Sequence, residues 1–111
     1  MAFDYVVNDG TLNGATPVKL VAEPGAGVRR IVRYMSISNC DAAAVTVTVK
    51  LVHGAGARQI WSGQLDVGDT WEFSDGIEIL DDTDKYISAV MSGAAASANP
   101  DFTASYGDKS A

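Results

Sequence analysis

The residues that could do chemistry here are few: one thiol, one imidazole, an acidic run, an arginine cluster and a handful of aromatics. Nucleophilic catalysis needs a thiol or hydroxyl, a base and a group to orient the base. Cys40 and His53 are the only thiol and imidazole. They flank the alternating run 44–52, a strand about nine residues or ~30 Å long, so they cannot form a dyad. One cysteine and one histidine also fall short of the three or four ligands of a zinc site. Asp81-Asp82-Thr83-Asp84 is the densest set of carboxylate oxygens. It lacks the glycine and the closing glutamate of an EF-hand loop and reads as a solvated acidic turn. Paired carboxylates for glycoside hydrolysis have no signal beyond the 14 acids themselves, most of which sit at turns. Gly54-Ala55-Gly56 joins two strands and opens no helix, so it is not a phosphate loop. No catalytic residue, metal ligand or cofactor is assigned, and the chain is expected not to be an enzyme.

The remaining candidates suit contact rather than catalysis. Arg29, Arg30 and Arg33 form the one basic cluster. They read either as charges guarding an edge strand or as partners for an acidic surface. Ile60 and Trp61 are strand neighbours and face opposite ways; with Ile60 in the core, Trp61 is outside. Tyr34 and Tyr86 fall on the more polar faces of their strands. Tryptophan, tyrosine and arginine dominate binding energy at interfaces, so Tyr34, Trp61, Tyr86, Arg29, Arg30 and Arg33 are the interface candidates.

These side chains must be held by strands. In Ala44–Val52, Val45, Val47, Val49 and Leu51 share one face, while Thr46, Thr48 and Lys50 share the other. Val28–Asn39 is a second strand, with Ile31, Met35 and Ile37 on one face and Val32, Tyr34, Ser36 and Ser38 on the other. Asn39–Ala42 has turn chemistry, and the two strands are expected to form one long antiparallel hairpin. Shorter strands are expected over 16–22, 59–62, 70–74, 77–80, 85–92 and 100–106. Turns fall at 23–27, 53–57, 66–69, 75–76 and 81–84. Trp71 and Phe73 are placed in the core. No helical period persists, and no segment serves as a crossover helix for a parallel sheet. About eight short strands at this spacing indicate an all-β antiparallel sandwich or barrel.

A chain of 111 residues is one domain's worth. We divide it into an N-terminal segment, 1–15, that is an arm or a first strand, a sandwich over 16–106 and a polar tail over 107–111. Its 47% apolar content suffices for a core. The net charge of −6 argues against nucleic acid or an anionic membrane as partner, since such binders use basic stripes. A single cysteine excludes an intrachain disulfide framework. There is no signal-like start and no apolar run of membrane length, so synthesis in the cytoplasm is expected.

Ile31-Val-Arg-Tyr-Met-Ser-Ile-Ser-Asn39 followed by Ala44-Val-Thr-Val-Thr-Val49 resembles small virion proteins of tailed bacteriophages. So do Leu65-Asp-Val-Gly-Asp-Thr-Trp-Glu-Phe73 and Asp82-Thr-Asp-Lys-Tyr-Ile-Ser-Ala89. The likeness spans about residues 16–106, and its motifs are structural. It implies a jelly-roll-like sandwich on the virion, with capsid decoration (cement) proteins the nearest by size. The expected partner is then the major capsid protein, the expected state a homo-oligomer such as a trimer, and the expected location the outer capsid surface. Alternatives are a neck or tail-fibre module and a carbohydrate-binding sandwich that uses Trp61 and a tyrosine as stacking platforms.

Overall fold

A computed structural model describes residues 4–74 and 76–110. It contains nine strands and, among the described residues, no helix. The strands are β1 Asp4–Thr11, β2 Val18–Val21, β3 Val28–Ser38, β4 Val45–His53, β5 Gly56–Leu65, β6 Thr70–Phe73, β7 Glu78–Leu80, β8 Lys85–Met91 and β9 Asp101–Ser110.

The pairing follows from one long hairpin rolled up on itself. Its apex is the two-residue turn Gly54-Ala55 between β4 and β5, where His53 pairs with Gly56. Gly54 supplies the positive φ of 58° that the first residue of such a turn requires. Moving outward from the apex, β3 pairs with β6 and β7, β2 with β8, and β1 with β9, all antiparallel. β6 and β7 are thus two halves of one arm. Rolling brings β9 beside β3 and β8 beside β4. The result is a sheet ordered β1-β9-β3-β6, with β7 also on β3, facing a sheet ordered β2-β8-β4-β5. This is jelly-roll wiring, and the fold is the all-β antiparallel sandwich that the strand spacing and the resemblance indicate.

The expected hairpin of β3 with β4 does not form, because the two strands lie in opposite sheets. Asn39 does not close a tight turn. Its side-chain amide donates to the carbonyls of Ala43 and Leu65, and its backbone N–H donates to Asp69 O, so the chain crosses from one sheet to the other. Since β3 has neighbours on both sides, the edge-guard reading of its arginines also fails.

β3 carries a second correction. Its register against β9 shifts between Val32 and Tyr34. The extra residue, Arg33, is a β-bulge that reverses the alternation. Val32 therefore joins Met35 and Ile37 in the core, and Ile31 lies on the other face, half buried. A bulge at Ile60 likewise aligns Trp61 with Val49, on the core side of β5. Both Ile60 and Trp61 pack against the core, so neither excludes the other from it.

The inner faces supply the core. Val32, Met35, Ile37, Phe102 and Ala104 come from the first sheet; Leu20, Val45, Val47, Val49, Ile87, Ala89 and Met91 from the second. The inward face expected for β4 is the observed one, and Trp71 and Phe73 pack on this core. Each buried aliphatic or aromatic side chain contributes about 1.5–3 kcal/mol. β9 continues past Tyr106 to Ser110, because Gly107, Asp108 and Lys109 pair with β3. The turn expected at 75–76 rests partly on Asp75, outside the described residues.

Candidate interaction surfaces

The loops at one end of the sandwich are tied together by one carboxylate. Asp41, only 3% exposed, accepts hydrogen bonds from the backbone amides of Ala42 (2.8 Å), Ala96 (2.8 Å), Ser97 (2.7 Å) and Ala98 (3.1 Å), and from the Ser97 hydroxyl (3.0 Å). Those amides, Ala96 first, hold its carboxyl well below the usual carboxylate range against the burial that raises it. The Asn99 side chain accepts from Gly14 N nearby, and Leu12 N donates to Pro100 O. This end is a hydrogen-bonded structural hub. Sequence reading treats 39–42 as a local turn, because Asn and Asp usually bond their own neighbours.

The open side between β5 and β6 is closed by Trp61 and Trp71. Their rings stack at 5.2 Å between centroids, 14° from parallel, across the two sheets. Gly63 makes room for the indole, since a Cβ there would lie 2.7 Å from Trp61 Cζ2. Further along the same seam Arg58 of β5 pairs with Glu78 of β7. Trp61 is thus a clasp between sheets, with one ring face taken by Trp71.

Arg30 points inward at the opposite end. Its Nε and Nη2 grip the two Asp108 oxygens at 2.8 and 3.0 Å, Nη1 donates to Ala22 O at 2.8 Å, and its guanidinium lies 4.3 Å from the Tyr106 ring centroid. The Asp108 hydrogen bonds raise its pKa above the ordinary arginine value. Tyr86 lies on the outer face of the second sheet beneath Lys19, whose Nζ is 4.6 Å from the ring centroid.

The other candidates lie outward on the first sheet. There Ile31 pairs with Ile79, and Tyr34 follows Arg33 on the same side, its hydroxyl donating to Glu72 at 3.1 Å. Ile77 and Ile79 are exposed. Arg29 is exposed, and Arg33 lines a shallow depression with Ser74, Gly76 and Ile77. Tyr34, Arg29 and Arg33 therefore share a surface with exposed isoleucines, while Trp61 and Arg30 serve the fold and Tyr86 sits on the opposite sheet.

His53 is brought beside the acidic turn, Nε2 lying 3.3 Å from Asp84 Oδ1. His53, Asp82 and Asp84 each offer one ligand atom within 4.8 Å of the others. All three are exposed, and Lys85 neutralises neighbouring Asp81, lowering its pKa. Cys40, at the far end of β4, donates to Asn99 O.

No known protein family and no curated protein matches the sequence. Among solved structures, the chain is similar to a protein described under "Bacillus endospore appendages form a novel family of disulfide-linked pili", at 14% identity and a TM-score of 0.59 over 98% of this chain and 87% of that one. It is also similar to PirA, at 13% identity and a TM-score of 0.51 over 91% and 92%. These likenesses define the class, a jelly-roll sandwich, and go no further. A cyanophage Pam1 capsid chain aligns at 17% identity over 96% of this chain and 80% of that one, but its TM-score of 0.37 carries no weight. Among the described residues no helix is long and apolar enough to cross a membrane.

Proposed function

We propose that this chain is an assembling structural protein of a tailed-phage virion, and specifically a head decoration protein that binds the outer surface of the capsid. The observation that carries the reading is the outward face of the first sheet. There Ile31, Ile77 and Ile79 stand exposed or half exposed beside Tyr34, with Arg29 and Arg33 at their margin. An apolar centre with aromatic and arginine contacts at a charged rim is the composition of a protein-binding surface. The sequence resemblance over 31–49 and 65–89 supports the virion setting. Assembly is supported by the similar fold of a protein described as forming pili. Binding would then rest on apolar burial against the major capsid protein, at about 25 cal/mol per Å² before association costs.

Co-sedimentation with mature heads and with separated tails of the encoding phage tests this. Saturable binding to heads at a lattice-related stoichiometry, weakened at least about tenfold by Ile79→Lys as a charge enters an apolar contact, is the expected result. Binding to tails alone moves the protein to the neck or fibre. Binding to neither overturns the virion reading.

A further inference from the structure

Each of the two sheets ends in two edge strands, and the edges are finished differently. β2 has four residues, a register shift between Lys19 and Val21, and its Leu20 carbonyl already accepts from Asn8 Nδ2 at 2.9 Å. β5 is bulged at Ile60 and carries Arg58. The third edge is broken between β6 and β7. Short length, bulges, interruptions and cationic side chains are the devices by which sheets refuse further strands. β1 has none of them. It pairs with β9 in unbroken register from Asp4↔Asp108 to Thr11↔Asp101, contains no Lys, Arg or Pro, and exposes Val6 (41%) and Val7 (62%). Among the described residues no strand pairs with its other side.

We propose that β1 is a self-association edge, joining two copies of this chain through antiparallel pairing of β1 with β1 about a two-fold axis. A two-fold perpendicular to the sheet keeps the outward faces of both copies on one side. Centred on Val7, it sets Val7 against Val7, Val6 against Asn8, Tyr5 against Asp9 and Asp4 against Gly10. Asp9 then meets no second carboxylate, whereas in-register parallel pairing sets Asp9 on Asp9, which is destabilising. The strand is therefore complementary to itself in one orientation. With the other three edges blunted, association closes at a dimer instead of propagating into a fibre. The first sheet becomes continuous through both copies. The inference does not rest on the virion reading, and failure to bind heads leaves its test intact.

The test is sedimentation velocity across a hundredfold range of concentration, paired with amide hydrogen exchange on the wild-type chain. A monomer–dimer equilibrium is expected, with protection of residues 4–11 rising as dimer forms. Val7→Lys sets lysine against lysine at the two-fold and raises the dissociation constant at least about tenfold. Val7 is largely exposed in the monomer, so an unchanged near-ultraviolet circular dichroism spectrum is expected to verify the variant's fold. The proposal is overturned by a monomer at every concentration, by a dimer that Val7→Lys leaves intact, or by exchange in 4–11 that is independent of concentration.

Discussion

At the scale of single residues, buried polar groups do more of the structural work than their number suggests. Asp41 bonds to amides 55 to 57 positions away, so Asp41→Asn leaves amides of the 93–98 loop short of an acceptor and lowers the melting temperature. Its folded pKa lies below the ordinary value, so the stability it contributes is fully present above about pH 4. That contribution fades as pH falls further toward the folded pKa. The gap in melting temperature between wild type and Asp41→Asn is therefore constant near neutrality and shrinks as calorimetry is taken below about pH 4. Arg30 shows how geometry selects a residue. Its planar fork meets both Asp108 oxygens and a backbone carbonyl while lying over Tyr106. An ammonium cannot reproduce that set. Because solvent reaches this end of the sandwich, Arg30→Lys costs about 1 kcal/mol in urea unfolding, less than a fully buried pair would.

At the scale of elements, the bulges in β3 and β5 set which side chains meet. Without the one at Ile60, the register set at the apex by His53 and Gly56 would carry Trp61 opposite Thr48, on the outward face of β5. Trp61 would then not reach Trp71, its partner across the seam. Trp61→Ala and Trp71→Ala are each expected to lose about 2–3 kcal/mol, being partly buried aromatics. The double-mutant cycle should show coupling near 1 kcal/mol, typical of an aromatic pair. Gly63→Ala forces the Trp61 indole aside and costs about 1–3 kcal/mol. In a Trp61→Ala background the same substitution costs much less, since the atom it would meet is gone. Urea titrations of the three single and two double variants check both claims.

At the scale of the molecule, nested pairing brings residue 4 to residue 108, and loop closure must precede most of the reward. Domains with such non-local topology refold in about milliseconds to seconds. Stopped-flow tryptophan fluorescence should report that range, because Trp61 and Trp71 come together only when the sheets close. The same wiring segregates the surfaces. The loop end around Asp41 is locked, the outward face of the first sheet is offered to the capsid in our reading, and β1 is left to pair with a second copy.

Local alternation was enough to determine the strand character, the inward row Val45–Val47–Val49, the core positions of Trp71 and Phe73, and the all-β antiparallel class. A two-residue period is a property of neighbouring positions and survives any pairing. What it could not determine was which strands pair. β3 and β4 are adjacent in sequence with a polar link, yet the link crosses between sheets because Asn39 and Asp41 find their partners at Leu65 and Ala96–Ala98. Nor did it show the one-residue slips at Arg33 and Ile60 that turned Val32 and Trp61 inward. A bulge leaves no local signature when the inserted residue is an ordinary one. The faces, the clasp and the free edge were therefore decided by tertiary structure, where hydrogen bonds and packing across dozens of residues compete with local pattern.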